Sequence, residues 1–444
     1  MSTSSSSSSH DGGDGGNGGG GGGEFDEPPH ARQRFNSGVW PEPFLEALAS
    51  QIAIDSALTD GRLAAAPALF NIFQVCRTWR TVSQSDLLWQ TLTRRIWRRN
   101  HLLHPTWYEE YIYRHRTTRN FRDRRYIYNT LNFPPNDNNN NNNNNEILSC
   151  RRLALSDYHL AAGFSDGSVR LFHLPTRHHV STFHPLQRNH LGPFSRTVCG
   201  IFFTDNRLVF ASHDGDIHVA SINVPGVTRR AYLGDVVTDG VLVDFAGCNQ
   251  WWVGLYAGVP NRAFHVRNGN TEELVFIGGT LTDPDAVIGW HLLTDLTEHV
   301  GRIRITNDDL AVGFTRSRVI VFDLRSQVIL GEVVRQISVG AADAYDGALV
   351  FVNSRGVANV RQVGSLQEIC RFMARGGSLG CMNGGYGFMC IGGGIRVWEL
   401  NHGAHLYILR ERIGDATALI ADERYVAACT NDHTIHLWDF GARD

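Results

Sequence analysis

The sequence predicts a mainly β protein, a seven-bladed β-propeller preceded by a small α-helical unit. Three observations lead there. A hairpin punctuated by Gly, Asp and Asn returns seven times after Ile147, apolar residues recur at spacings of three and four between Trp40 and Trp97, and an Asn run separates the two periodicities.

Residues 1–39 open with a Ser run followed by Gly, Asp and Asn. Such a stretch cannot bury enough apolar surface to offset its ordering entropy, so it reads as a disordered tail. Residues 40–97 carry the helical signal. Phe44, Leu45, Leu48 and Ile52 begin it after an early Pro, and Leu69, Ile72, Phe73, Cys76 and Trp79 continue it. Ser85 is placed to cap a last helix bearing Leu88, Leu92 and Ile96. Residues 98–135 form an Arg- and aromatic-rich connector, and residues 136–146, almost pure Asn, a linker or long loop.

From residue 147 to 444 the period becomes two. The repeated unit reads LAAGFSDGSVRLFHL from Leu160 and returns from Leu208, Trp252, Leu310, Leu349, Phe388 and Tyr425. Successive starts lie 48, 44, 58, 39, 39 and 37 residues apart, close to the length of a four-stranded blade, with an insertion in the third interval. The last unit ends at Phe440, four residues before Asp444, which leaves no room for its outer strand. Tyr126–Phe133 (YIYNTLNF) is apolar and strand-like, so it is expected to close the ring and remove the exposed edges.

A formal net charge of -3 argues against electrostatic coating of nucleic acid or membrane by the whole surface, and no run of about 18 apolar residues is present. The eight cysteines contain no Cys-x-x-Cys pair and lie mostly in apolar runs, which reads as reduced core thiols. No histidine has ligand spacing, and His178 with His179 reads as a solvated strand end. Neither a metal nor a cofactor is expected.

Two Gly-x-Ser-x-Gly matches surround Ser165 and Ser378, but a nucleophile elbow needs a strand, a sharp turn and a helix. Hairpin or interstrand positions do not supply that, so no catalytic residue is assigned. The glycines from Gly392 to Gly394 similarly read as a hairpin turn, since neither a helix nor a Lys follows.

The segment WPEPFLEALASQIAI with LAAAPALFNIFQVCRTWRTVSQSDLLWQTL resembles the F-box motif. Val75-Cys76-Arg77-Thr78-Trp79 fits its centre and Leu88-Trp89 its end, while Trp40 stands beside Pro41 where Leu is usual. An insertion, roughly Asp55 to Arg62, departs from the pattern. The propeller units resemble WD repeats, with Trp438-Asp439, Trp398-Glu399 and Phe322-Asp323 at the usual Trp-Asp position. Over nearly its full length, including WWVGLYAGVPNRAFHV and GGTLTDPDAVIGWH, the chain is similar to the sterile apetala family of plant F-box proteins.

That resemblance implies a WD-type propeller and a non-catalytic receptor subunit of a Skp-cullin-F-box ubiquitin ligase. Its partners would be a Skp-type adaptor and, through it, cullin and the RING subunit. Implied targets are transcriptional repressors of the PEAPOD kind, the place the nucleus, and the process flower development and organ size. The alternative is a propeller scaffold that regulates transcription without ligase assembly. Trp40, Pro41, Phe44, Leu45, Leu48, Val75, Trp79, Leu88 and Trp89 are the expected adaptor-binding residues. Target contacts should come from loops on one propeller face, with Trp290 and His291 of the long third-interval insertion as candidates.

Two compositional features bear on this reading. All 41 basic residues are Arg and none is Lys, so a ligase receptor of this sequence offers no side-chain amine to its own enzyme; a general Arg bias would look the same. Arg94 to Arg125 holds ten Arg against Glu109, Glu110 and Asp123, interleaved with aromatics. No groove-reading motif accompanies them, so a connector or a dock for an acidic partner is expected rather than direct nucleic-acid binding.

Overall fold

Seven four-stranded antiparallel sheets follow one another, six wholly within Cys150–Asp439 and the seventh completed by a strand from before Cys150. The computed structural model describes residues 40–132, 148–186, 193–224, 226–279, 300–306, 309–432 and 434–442. The tail at 1–39, the Asn-rich stretch at 136–146, and Trp290 with His291 lie outside the described residues. The chain divides after Pro41, and Glu42–Asp444 holds both the helices and the propeller as one compact unit.

Each of the seven sequence returns is the second and third strand of a blade. The first pairs His159–Phe164 with Val169–His173, and the last pairs Tyr425–Thr430 with Thr434–Asp439. These two strands are legible because neighbouring blades cover both faces, leaving near-continuous apolar runs. The innermost strands contact one another in ring order, and Cys150–Leu155 of the first blade meets Ala416–Ala421 of the seventh.

Closure comes from upstream. Ile127–Asn132 pairs antiparallel with Thr434–Asp439, Ile127 opposite Asp439 and Leu131 opposite Ile435, and becomes the outer strand of blade seven. Leu131 joins Leu160, Phe164, Tyr425 and Ile435 in one buried cluster that spans the first and last blades. Trp398, Trp438 and Phe322, the residues at the Trp-Asp positions, are all buried on third strands.

Among the described residues five α-helices precede the ring: α1 (Glu42–Asp60), α2 (Ala65–Phe73), α3 (Arg77–Val82), α4 (Asp86–Trp97) and α5 (Trp107–Asp123). Ser85 Oγ accepts from the Leu88 amide at 3.5 Å at the start of α4, and Thr106 Oγ1 accepts from the Glu109 amide at 3.2 Å at the start of α5. On α5, Trp107, Tyr111, Arg114, Thr118 and Phe121 recur at three and four and are buried. Its Arg114 donates Nε to buried Glu110 Oε1 at 2.7 Å, Glu110 Oε2 accepts from the Leu103 amide at 3.0 Å, and Arg114 Nη2 is left without a hydrogen-bond partner among the described residues.

Candidate functional site

Helix α1 stops at Gly61, whose φ of +95° is left-handed backbone suited to Gly, and a Cβ there would lie 2.4 Å from Asn401. The chain is thereby turned so that Arg62 enters the propeller. Its Nη1 donates to Glu423 Oε1 and Oε2 at 2.9 and 2.8 Å, and its Nη2 lies 2.5 Å from Asp346 Oδ2. Burial alone would lower the Arg62 pKa, but Glu423 and Asp346 outweigh it and hold the guanidinium charged. Burial would likewise raise Glu423, and Arg62 pulls it below its ordinary value.

The segment that departs from the F-box pattern, Asp55 to Arg62, therefore ends in a clasp between helices and propeller. Its neighbours reinforce it: Arg98 Nε meets Asp346 Oδ1 at 3.0 Å, and Arg99 Nη2 meets Asp157 Oδ1 at 3.1 Å. Farther out, α5 lies along blades six and seven. Phe121 stacks on Phe440 at 3.9 Å, Tyr386 Oη donates to the Thr118 carbonyl at 2.9 Å, and Asn120 Nδ2 donates to the Phe440 carbonyl at 2.9 Å.

The three acceptor loops at the clasp, around Asp157, Asp346 and Glu423, join the first strand of a blade to its second, as does the loop of Asn383, whose Nδ2 donates to the Asp422 carbonyl at 2.9 Å. In an antiparallel blade the second-to-third turns emerge at the other end. The helices thus occupy one face of the ring. Among the described residues, exposed positions in the second-to-third turns of the other face include Asp166, Arg316, Ser354 and Arg355.

The expected adaptor-binding residues separate by burial. Phe44 and Val75 are exposed, 44% and 65%, and Leu48 and Trp79 are half-buried. Trp40 and Pro41, which fall in the other unit, are also exposed. Leu45, Leu88 and Trp89 require correction as contact residues. They are buried in the cluster formed with Ala49, Leu69, Leu92 and Tyr111, where they hold the helices together.

Helical spacing identifies an apolar stripe but not which of two adjacent stripes turns inward. Here Leu45, Ala49 and Ala53 point in, while Phe44, Leu48 and Ile52 form the neighbouring outer stripe. The same offset hid Phe70, beside buried Leu69, and Leu87, beside buried Leu88. These side chains are 62% and 61% exposed. Phasing from Leu69, Ile72 and Phe73 would have placed Phe70 outward.

The propeller axis is polar and already committed. Asp244 accepts from Arg152 Nε at 3.3 Å and Arg304 Nη1 at 3.2 Å, and Asp343 accepts from Arg304 Nε at 2.8 Å. Arg302 donates to the Ala342 and Gly380 carbonyls at 2.6 and 3.1 Å, and burial, with Arg304 beside it, pushes its pKa down to about 10. Such cross-blade bonds brace the ring.

Ser165 sits in the turn between second and third strands of blade one, where its Oγ accepts from the Ser149 amide at 3.0 Å. Ser378 lies in the link before Leu379, and Gly392–Gly393 turn the chain between two strands of blade six. Both are loop positions of sheets. Among the described residues no group of three or more His, Cys, Asp or Glu side chains is arranged to hold a metal, and no helix is long and apolar enough to cross a membrane.

No family model matches the chain. The Arabidopsis thaliana transcriptional regulator STERILE APETALA is 53% identical to it over 431 residues, 94% of this chain and 96% of that protein. Among solved structures, the computationally designed Ika8 protein superposes with a TM-score of 0.46 at 16% identity, covering 65% of this chain and 82% of its own. BamB from Moraxella catarrhalis gives 0.45 at 12% identity over 65% and 85% of the two chains.

Proposed function

The chain belongs to the STERILE APETALA family, and from that premise we propose that it is the substrate-receptor subunit of a Skp-cullin-F-box ubiquitin ligase acting on transcriptional regulators in the nucleus. One observation carries the reading. Exposed apolar side chains on the packed helices α1, α2 and α4 (Phe44, Ile52, Phe70 and Leu87) belong to a body clasped to the propeller by buried charges.

A receptor of this kind makes and breaks no bonds. It holds a target beside the activated thioester so that a lysine attack becomes effectively intramolecular, and such positioning is worth roughly 7–11 kcal/mol at best. That contribution requires a stiff link between the adaptor-binding and target-binding ends. Arg62, Arg99 and the α5 contacts supply one, and the second-to-third turns on the opposite face are where a target would sit. Repressors of the PEAPOD kind, acting in flower development and organ size, are the proposed targets.

The test is co-purification of the full chain with a plant Skp-type adaptor and cullin. A stoichiometric complex is expected. A folded chain that fails to retain the adaptor would overturn the proposal. A second reading then takes over, favoured by the name of the Arabidopsis relative: a propeller scaffold in a transcription complex, which predicts regulator binding without any change in target lifetime.

A further inference from the structure

A concave groove of about 670 Å³ opens where the end of α5, the start of the closing strand, blade six and the C-terminal residues meet. Five arginines line it: Arg116 and Arg119 from α5, Arg124 and Arg125 from the following turn, and Arg410 from the outer strand of blade six. On a chain whose formal net charge is -3, this is a local concentration of one sign.

Among the described residues one carboxylate lines the groove, Asp439, and it already receives Arg424 Nε and Nη2 at 2.8 and 2.9 Å. Glu411, next to Arg410, accepts from Tyr126 Oη and Trp438 Nε1 at 3.1 and 2.7 Å. Arg119 meets Asp123 only at 3.4 Å, an exposed contact of small value. Arg124 lies over the Tyr407 ring, and its buried Nε has no hydrogen-bond partner among the described residues.

We propose that this groove binds a small anion carrying several phosphate groups. Guanidinium forks pair with phosphate oxygens two bonds at a time, and several of them around a bounded concavity suit a compact ligand. A nucleic-acid strand would ask instead for positive charge along an extended track. Because the lining comes from α5, the closing strand, blade six and the C-terminal residues, an occupant would draw together the elements that fasten the helices to the ring. This does not depend on the receptor role.

The experiment is calorimetric titration of the full chain with sodium tripolyphosphate, with ATP as a second arm and sodium sulfate at matched ionic strength as the control. Saturable one-to-one binding of tripolyphosphate is expected, with a raised melting temperature and no comparable effect of sulfate. Arg119→Glu and Arg410→Glu, both at exposed positions, should each weaken binding by roughly ten-fold or more while leaving the ligand-free melting curve unchanged. Arg355→Glu, on an exposed turn of the opposite face, should bind as the parent does. Tighter ATP than tripolyphosphate binding, lost in the same two variants, would identify a nucleotide as the polyphosphate. Absence of binding, equal loss in Arg355→Glu, or tighter binding of a DNA oligonucleotide with affinity rising with its length would each overturn the proposal.

Discussion

Arg62 and Glu423, separated by 361 residues, form a two-pronged ion pair with Nη1 at 2.9 and 2.8 Å from the carboxylate oxygens. Gly384 makes room for it: a Cβ at that position would fall 2.0 Å from Arg62 Nη2. Its amide also donates to Glu423 Oε1 at 3.2 Å, so backbone and guanidinium share one carboxylate.

Arg62→Ala should therefore destabilise the chain by about 3–5 kcal/mol, because Asp346 and Glu423 are left buried without their shared cation. Chemical denaturation measures it. A double-mutant cycle with Glu423→Gln should show coupling well above 0.5 kcal/mol. Additive losses would mean that the pair is not a clasp. Gly384→Ala should reproduce part of the loss by displacing the guanidinium without removing any charge.

That clasp was not legible in the sequence, whereas the ring was. Buried strands such as Leu160–Phe164 and Tyr425–Thr430 repeat because every blade solves the same packing problem, and the missing fourth strand of the last blade pointed back to Ile127–Asn132. A single polar contact between Arg62 and partners 284 and 361 residues away has no period to detect. The helix face stands between these cases: apolar spacing revealed the helices, but Phe44 against Leu45 and Leu87 against Leu88 were decided by tertiary packing.

Asp422 and Glu423 should show opposite pH dependence. Burial pushes the Asp422 carboxyl up to about 6, despite the Arg424 and Tyr425 amides donating to it. With the folded value above the unfolded one of about 3.9, its contribution is full below that pH and lost as pH rises through about 6. Asp422→Asn should then stabilise the chain by about 1–3 kcal/mol at pH 7.5 and by less at pH 5. Glu423, held low by Arg62 against burial, contributes above the unfolded value and loses that contribution as pH falls, so Glu423→Gln should destabilise at pH 7.5. Denaturant titrations at both pH values read the two signs, and a stabilising Glu423→Gln at pH 7.5 would contradict the assignment.

Surface and core positions on the helices should separate binding from stability. Phe44→Ala, Val75→Ala and Leu87→Ala replace exposed side chains and should change stability by about 0.5 kcal/mol or less while weakening adaptor capture. Leu45→Ala and Leu88→Ala, each 1% exposed, should cost about 2–5 kcal/mol by opening cavities. Paired denaturation and co-purification make the comparison. Full adaptor capture by a Phe44, Val75 and Leu87 triple variant would remove this face from the interface.

The absence of lysine from all 41 basic positions gives a test of the receptor reading that does not rely on affinity. Arg77 and Arg80 lie exposed on α3, beside Val75, and Lys there keeps the charge while adding an amine. Arg is not a ubiquitin acceptor in ordinary transfer, so the parent should remain unmodified on its side chains in a reconstituted ligase that modifies its target. Arg77→Lys with Arg80→Lys should acquire ubiquitin at those positions, detectable by mass spectrometry of the digested chain, and its half-life in plant cells should shorten. If the variant stays unmodified while the target is labelled, α3 lies out of reach of the enzyme and the missing lysines do not protect it there. If the parent and the variant are modified to the same extent, the Lys-free composition offers no protection at all.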